Sequence, residues 1–327
     1  MNSASYENRN EDALYLKIKE LLTQNSKLGR VTLAEVTGGS ERECRTRKDW
    51  FLRDGGGSSI RTIQPLPPLS TSPIVEVGLV CNDQHIPFQH NAALRIVHTV
   101  ATLAKVNWIA LDGDVTDCYE IGRFVHFTRQ SLIDEMAQTR EYLQEVRIQH
   151  KDAKIIYIAG NHEHRWSSYL HKNVPAMAGM KLTGLANCLG LEELEIKWIY
   201  SGQAESYYQV PGTSLFIGHF DKVAKFSAYT VKNLVEDKHV NIIQAHTHRM
   251  GTYYKSTIGQ NLVGYENGCL RHKSGTEYVM DPNWQFGFSL VYVWLDGTFK
   301  VIPYHIVETP THLFTVYNDM KIEAGIK

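Results

Sequence analysis

A series of short apolar segments, each ending in or followed by aspartate, asparagine or histidine, constrains the fold of this chain more than any other feature. The segments are IVEVGLV, VNWIALDG, KIIYIAG, SLFIGH and VNIIQAH, and β-branched residues are frequent in them. Segments of this length and composition are typical of buried strands. Helices are predicted between them at 91–105, 131–149 and 223–236. The alternation predicts an α/β layered domain over residues 74–327, which ends in a hairpin with Asp296-Gly297 at its turn.

The polar residues that end these segments are predicted to meet at one place. They are Asp83-Gln84-His85, Asp112-Gly113-Asp114-Val115-Thr116-Asp117, Gly160-Asn161-His162-Glu163, Gly218-His219 and His246-Thr247-His248. Since the carboxyl ends of parallel strands form one rim of a sheet, five loops distant in sequence would come together there. In D-x-H and H-x-H, alternate residues of an extended segment point to the same side, so the pair can hold one ion or two neighbouring ions. Carboxylate and imidazole ligands together suit Mn²⁺, Fe or Zn²⁺ better than Ca²⁺.

These motifs resemble a known family when they are taken in order. D-x-H, G-D-x-x-D, G-N-H-E, G-H and x-H-T-H, over roughly residues 74–310, are similar to those of the calcineurin-like metallophosphoesterases. The resemblance implies a four-layer αββα sandwich with a dinuclear metal site, and Mn²⁺ is the metal expected first. Two ions about 3.5–4 Å apart can activate a shared water for attack at phosphorus.

The resemblance also implies a role for each motif residue. The first ion would be held by Asp83, His85, Asp114 and His248, and the second by Asp114, Asn161, His219 and His246. His162 would protonate the leaving oxygen, and Asp117 would orient His162. His164 and Arg165 directly follow G-N-H-E and are candidates for contact with a phosphate, or for a structural role at the start of a helix.

Family resemblance fixes the type of reaction and leaves the substrate open. Ser/Thr protein phosphatases carry Asp-Arg-Gly after the second motif, whereas here Asp117 is followed by Cys118-Tyr119, so that arginine is missing. In contrast, G-N-H-E-x-R is a phosphatase-like feature. The leading hypothesis is a phosphodiesterase that acts on nucleic acid, a nuclease. The alternatives are a phosphomonoesterase or protein phosphatase, and a DNA-binding adaptor whose phosphoesterase fold is not catalytic.

The N-terminal part of the chain predicts a separate helical domain over residues 1–62. The sequence predicts a helix with apolar residues at i, i+4, i+7 and i+8, a short second helix, a Gly-Gly-Ser turn at 38–40 and a basic third helix. This order of elements resembles a helix-turn-helix or winged-helix domain. The residues predicted to contact DNA are Arg42, Arg45, Arg47 and Lys48. The alternative is a small accessory domain whose basic residues are simply solvated. A linker rich in Gly, Ser and Pro is predicted up to residue 73, with its last part at 63–73.

Composition excludes several other classes of protein. A hydrophobic content of 43% and a charged content of 21% are ordinary for a globular protein and unlike a disordered or fibrous chain. The formal net charge of −1 gives no overall attraction to nucleic acid or membranes, so any basic surface must be local. The five cysteines are widely spaced, and the N-terminus has no apolar signal core, so we expect reduced thiols and a cytoplasmic location without membrane contact.

Overall fold

The computed structural model describes residues 12–53, 72–122, 130–273 and 282–326. The chain divides into two compact units, residues 1–71 and 72–327. Most of the predicted linker, including residues 63–71, lies outside the described residues. Among the residues that are described, no helix is long and apolar enough to cross a membrane.

The first unit contains three helices, α1 (Ala13–Gln24), α2 (Arg30–Thr37) and α3 (Glu41–Arg53). One apolar cluster joins them, and its buried members are Tyr15, Ile18, Leu22, Leu33, Cys44 and Phe51. Helix α2 ends at Gly38, whose φ of 76° is easily reached only by glycine. Helix α3 then begins with a capping box, in which the backbone N–H of Ser40 donates to the Glu43 carboxylate and the backbone N–H of Glu43 donates to the Ser40 hydroxyl oxygen. Three helices in this order are present, and the described residues 12–53 include no strand that could serve as a wing.

The second unit contains two sheets. The larger sheet has eight strands in the order β13-β12-β11-β10-β1-β2-β3-β4. They are β1 (Ile74–Cys81), β2 (Trp108–Asp112), β3 (Lys154–Ile158), β4 (Ile196–Ile199), β10 (Phe286–Trp294), β11 (Phe299–Glu308), β12 (His312–Tyr317) and β13 (Met320–Gly325). Strands β1 to β4 are parallel, and β10 to β13 continue the sheet in antiparallel fashion.

The smaller sheet has five strands in the order β5-β6-β7-β9-β8. They are β5 (Ser206–Gln209), β6 (Leu215–His219), β7 (Asn241–Gln244), β8 (Met250–Thr257) and β9 (Gln260–Asn267). Strands β6, β7 and β9 are parallel to one another. Both sheets are therefore mixed, and each contributes parallel strands whose carboxyl ends can carry site residues.

Helices cover the outer face of each sheet. They are α4 (Asn91–Ala104), α5 (Leu132–Gln149), α6 (Asn161–Asn173), α7 (Leu185–Cys188) and α8 (Tyr229–Lys238). Leu79 packs in the cluster that contains α4 and α5, whereas its neighbour Val80 packs between the sheets against Ile217. Helix α8 packs on the far side of the smaller sheet through Val231. The layers run helix, sheet, sheet, helix, because successive residues of a strand face opposite sides.

The structure contains every strand and helix predicted for residues 74–327, with one correction. The predicted helix 223–236 begins only at Tyr229. Residues before it form a loop, because backbone N–H groups there donate to side chains: Ala224 to Thr230 and Ala228 to Glu266. Side-chain acceptors of this kind compete with helical hydrogen bonds. Strands β4, β5, β8, β9, β12 and β13 were not predicted.

Candidate metal centre

The candidate site residues lie where β1, β2 and β3 of the larger sheet and β6 and β7 of the smaller sheet end. Five of the seven predicted metal ligands have a backbone φ in the left-handed region. They are Asp83 (52°), His85 (50°), Asp114 (50°), His246 (74°) and His248 (57°). This conformation costs about 1 kcal/mol or more for a residue with a side chain, and it persists only where the surroundings enforce it. The fold therefore holds these side chains in strained positions, as is common at functional sites.

One group of potential ligands joins the end of β1 to the loop after β7. Asp83, His85 and His248 each offer an atom within 4.8 Å of the others. Nε2 of His248 lies 3.1 Å from Oδ1 of Asp83 and 3.1 Å from Nε2 of His85. All three residues are buried. They are three of the four residues predicted for the first ion.

A second group joins β2 to the smaller sheet. Asp114, His219 and His246 also offer atoms within 4.8 Å of one another. Oδ2 of Asp114 lies 3.2 Å from Nε2 of His219 and 3.8 Å from Nε2 of His85. One carboxylate oxygen therefore faces both groups, which is the position that a shared ligand needs.

Asn161 is the first residue of α6 and the only amide in the predicted ligand set. Its Oδ1 atom is buried and has no hydrogen-bond partner among the described residues. An unpaired buried acceptor costs free energy and calls for an explanation, and a metal ion would satisfy it. The neighbouring Gly160 allows the close approach, because a Cβ there would lie 2.3 Å from Oδ1 of Asp114.

His162 belongs to a third group, with His85 and Asp114. Its Nδ1 atom lies 2.7 Å from the carbonyl oxygen of Asp117, and its Nε2 atom lies 2.7 Å from Nη2 of Arg165. A guanidinium group can only donate, so Nε2 accepts and Nδ1 carries the proton. In this arrangement Arg165 covers the nitrogen that would face a leaving group.

Asp117 contacts more than the one histidine that the sequence suggested. Its Oδ1 atom lies 2.6 Å from Nδ1 of His85, 2.9 Å from Nη1 of Arg271 and 3.2 Å from Nδ1 of His162. The shortest contact is therefore with His85, a predicted metal ligand. A carboxylate on the far nitrogen of a ligating histidine fixes its tautomer and its orientation.

Glu163 holds together the loops that carry Asp114 and Asn161. Its buried carboxylate accepts hydrogen bonds from the backbone N–H groups of Asp114, Val115, Thr116 and Gly160 and from the hydroxyl group of Tyr157. Burial raises the pKa of Glu163. Glu163, the last residue of G-N-H-E, thus joins two loops of the site through buried hydrogen bonds. It does not belong to any of the three ligand groups.

Glu135 of α5 stabilises the next part of the same loop. Its carboxylate accepts hydrogen bonds from the Thr116 hydroxyl group at 2.6 Å and from the backbone N–H groups of Cys118 and Tyr119. Burial raises the pKa of Glu135 to about 7. Helix α5 therefore supports the loop that carries Asp117.

A third set of polar contacts fixes Asp83. The side-chain amide of Asn82 donates to Oδ2 of Asp83 and to the carbonyl oxygen of Gly268. Asn267 donates to Oδ1 of Asn82 and accepts from the hydroxyl group of Ser289. These buried contacts join strands of both sheets directly beneath the predicted ligand.

The charges of the site are strongly coupled. Burial opposes ionisation of Asp83, but the charge of His248 and hydrogen bonds from three histidines hold its pKa well below the usual value. Burial would lower the pKa of His248, but the charge of Asp83 raises it to about 10. For His246, burial and then the charge of His219 lower the pKa to about 3. A ligating imidazole is neutral, so metal binding by His248 at neutral pH would release its proton, whereas His246 has none to release.

The other predicted contact residues belong to none of the three ligand groups. Nδ1 of His164 lies 2.7 Å from the hydroxyl group of Tyr200. In the first unit, Arg47 forms a two-pronged ion pair with Asp12, and Lys48 donates to the carbonyl oxygen of Leu28. These two basic residues make contacts within their own unit. Arg42 and Arg45 are exposed on α3.

Sequence reasoning missed the buried Arg271 altogether. Its guanidinium group is 5.0 Å from the ring centroid of Phe88, 5.9 Å from that of Trp284, and paired with Asp117. The residue follows the Asn267-Gly268 segment after β9 without any motif around it. Glu135 was also missed, because a glutamate within a helical pattern is usually a solvated residue.

Comparisons with known proteins agree with this geometry. The family described as "Calcineurin-like phosphoesterase" matches residues 79–283. The gene 54 proteins of the Mycobacterium phages L5 and D29 are each 26% identical to the chain over 230 residues, which cover 66% of this chain and 88% of the relative.

Two solved structures also match part of the chain. Vacuolar Protein Sorting 29 from Cryptosporidium parvum is 13% identical, with a TM-score of 0.36 over 77% of this chain and 97% of that one. Yfce, a phosphoesterase from E. coli, is 11% identical, with a TM-score of 0.32 over 69% of this chain and 98% of that one.

The family match spans more than half of the 327 residues and includes all the motif loops. Two of the three groups of potential ligands lie within the two ligand sets that the motifs implied. The protein belongs to the calcineurin-like phosphoesterases and is a metallophosphoesterase with a buried His/Asp metal-binding cluster.

Proposed function

We propose that the site holds two divalent ions and that the enzyme is a phosphodiesterase that cleaves nucleic acid. The first ion would take Asp83, His85, Asp114 and His248, and the second Asp114, Asn161, His219 and His246. The shared position of Asp114 and the unpaired buried Oδ1 atom of Asn161 support this assignment. When bound, the ions would supply an acidified water and positive charge for the phosphoryl oxygens.

The chain's own residues would orient the substrate and move one proton. The carbonyl oxygen of Asp117 holds Nδ1–H of His162, which leaves Nε2 directed into the site. Once Arg165 has left Nε2 and that nitrogen has taken up a proton from solvent, His162 would donate this proton to the leaving oxygen and return to the form protonated at Nδ1 alone. A phosphate oxygen of the substrate is the natural new partner for the Arg165 guanidinium group.

The choice of a diester rests on one observation. The position after Asp117, which is an arginine in Ser/Thr protein phosphatases, is here the fully buried Cys118. A phosphate monoester carries one more negative charge than a diester, so the absence of a cationic contact weakens binding of the monoester more than binding of the diester. The exposed Arg42 and Arg45 on α3 support a polynucleotide as the diester.

A phosphomonoesterase or protein phosphatase is the second candidate. It is favoured by Arg165 and Arg271, which both contact Asp117 and bring guanidinium groups to the site from other positions. A non-catalytic DNA-binding adaptor is disfavoured, because a recognition module has no need of a buried, strained set of metal ligands.

Mn²⁺ is proposed as the native metal, with Fe and Zn²⁺ as alternatives. The two sets mix carboxylate, amide and imidazole ligands and contain no thiolate, which suits a metal of intermediate hardness. Elemental analysis of the purified protein, followed by reconstitution with each metal, would identify it.

Cleavage of end-labelled DNA and RNA, single- and double-stranded, tests the proposal. The wild type with Mn²⁺ is expected to cleave at least one form, and Asp114→Asn is expected to cleave none. Asp296→Asn, at the exposed hairpin turn, is the matched control and should behave as the wild type. An enzyme that hydrolyses an aryl monophosphate but cleaves no nucleic acid would overturn the nuclease and leave the phosphatase.

A further inference from the structure

An exposed surface of aromatic and basic residues adjoins the metal centre on the smaller sheet. It is formed by Lys225, Phe226, Tyr229 and Lys232, in the loop after His219 and the first turn of α8, and is named here the aromatic-basic surface. Phe226 is 54% exposed and Tyr229 is 51% exposed. Their ring centroids are 5.6 Å apart with an angle of 66° between the planes. Single exposed apolar residues are common, but two adjacent exposed aromatic rings are less so.

Each of these rings has a lysine ammonium group near it. Nζ of Lys225 lies 5.3 Å from the centroid of Phe226, and Nζ of Lys232 lies 5.5 Å from the centroid of Tyr229. Lys222 is close by in sequence but pairs with Asp237 at 3.3 Å, so it is left out of the surface. The surface thus combines ring faces with positive charge, although the whole chain is nearly neutral.

The loop that carries the surface is held against the metal centre. Oδ1 of Asp221 lies 3.4 Å from Nε2 of His246. Nη1 of Arg249, the residue after His248, donates to the carbonyl oxygen of Ala224 at 2.8 Å. The backbone N–H of Ala228 donates to Glu266 at 2.8 Å. The loop that carries the surface is therefore in contact with His246 through Asp221 and with the residue after His248 through Ala224.

We propose that the aromatic-basic surface binds single-stranded nucleic acid, with bases stacked on Phe226 and Tyr229 and phosphates near Lys225 and Lys232. Alternating ring faces and cationic groups are what proteins use to bind unpaired strands, because every base offers a face and every linkage a negative charge. Bases of a duplex are stacked on one another and cannot reach such rings. This inference rests on the proposed nuclease function and names its substrate class, which is an unpaired strand of DNA or RNA.

Binding is measured first, because it does not depend on turnover. Fluorescence anisotropy in EDTA would use labelled oligo(dT) and oligo(U) of about eight nucleotides, within the usual footprint of such surfaces. The protein is the full chain with Arg42→Ala and Arg45→Ala, so that the first unit does not mask the effect. Phe226→Ala and Tyr229→Ala are compared with Tyr254→Ala, a 68% exposed aromatic on β8. Thermal unfolding checks that each variant is folded.

The inference predicts that Phe226→Ala and Tyr229→Ala each weaken binding by roughly tenfold, as expected for the loss of one stacked base, while Tyr254→Ala has no effect. The ratio of kcat/KM for the oligonucleotide to kcat/KM for bis(p-nitrophenyl) phosphate should fall by a similar factor. The stronger response of oligo(dT) or oligo(U) identifies DNA or RNA as the strand.

Equal binding by all variants overturns the inference even if the wild type is a nuclease. Duplex DNA that binds as tightly as the single strand, with the same loss in the variants, also overturns it. Conversely, strong binding that depends on Phe226 in an enzyme that cleaves no nucleic acid supports the surface and contradicts the nuclease. The two failures are therefore distinguishable.

Discussion

Nδ1 of His85 lies 2.6 Å from Oδ1 of Asp117, and both side chains are almost completely buried. The contact leaves Nε2 of His85 directed at Asp83, Asp114 and His248. Asp117 therefore contacts a predicted metal ligand as well as His162. These two contacts predict different effects when Asp117 is changed. The contact with His85 would affect metal affinity, whereas the contact with His162 would affect proton transfer.

Asp117→Asn is expected to weaken metal binding by about 10–100-fold, as is typical when a residue that orients a ligating histidine is altered. Titration of the metal-free protein with Mn²⁺ measures this, and Asp134→Asn, on the exposed side of α5, is the control. Normal metal affinity together with a large loss of kcat would instead show that Asp117 acts through His162 alone.

His162→Ala is expected to lower kcat on an unactivated diester by about 10²–10⁴-fold, the usual contribution of a general acid. With a p-nitrophenyl leaving group the loss should be much smaller, because that group departs without a proton. His171→Ala, an exposed histidine of the same helix, serves as the control. Equal losses on both substrates would mean that His162 does not protonate the leaving group.

The raised pKa of Glu135, about 7 against an ordinary value of 4.5, predicts a pH dependence of stability. Between these values the folded protein keeps a proton that the unfolded chain releases, so the stabilising contribution is complete below pH 4.5 and is lost as the pH rises through 7. The free energy of unfolding, relative to Glu135→Gln, should fall over that range by on the order of 3 kcal/mol. Glu141→Gln, exposed on the same helix, should not change the slope. A difference between wild type and Glu135→Gln that is constant with pH would contradict the raised pKa.

Arg45 and Arg47 are predicted to have opposite roles in the first unit. Arg47→Ala breaks the ion pair with Asp12, in which both side chains are less than 20% exposed, and should destabilise the three helices by about 1.5–3 kcal/mol. Arg45→Ala should leave stability within about 0.5 kcal/mol and weaken binding to duplex DNA. Hydrogen exchange of the α1 and α3 amides reports stability, and gel shift reports binding. Unchanged DNA binding in Arg45→Ala would favour an accessory domain that does not contact DNA.

Secondary structure could be predicted from the sequence where a local pattern of apolar or turn-forming residues determines it. The strands that precede Asp83, Asp114 and Asn161 are short and mostly apolar, and the hairpin has Asp-Gly at its turn, so both features could be predicted from the sequence. Strand β13 lacks such an apolar run, because exposed Lys321 and Glu323 alternate with less exposed residues. In β12 the apolar residues are interrupted by the buried Thr315. The loop before Tyr229 was misread as helix, since its hydrogen bonds go to Glu266 and Thr230, and Glu266 is distant in sequence.

The site could be predicted only as far as its motifs extend. The predicted ligands lie at strand ends, where the motifs placed them, whereas Arg271 and Glu135 contact Asp117 and its loop from segments without a motif. The left-handed conformation of Asp83, His85 and Asp114 could not be predicted either, because only a few per cent of residues other than glycine adopt it. Buried partners of this kind depend on tertiary packing and cannot be deduced from spacing.

Metal stoichiometry tests the central claim most directly. The claim is that Asp114 is shared by two ions, because its Oδ2 atom faces both His219 and His85. Elemental analysis after reconstitution with Mn²⁺ and removal of free metal should give two ions per wild-type chain. In Asp114→Asn both should be weakly held or lost, together with all phosphoesterase activity. A wild-type protein that is fully active with a single ion, or an Asp114→Asn variant that keeps both ions and full activity, would contradict the account.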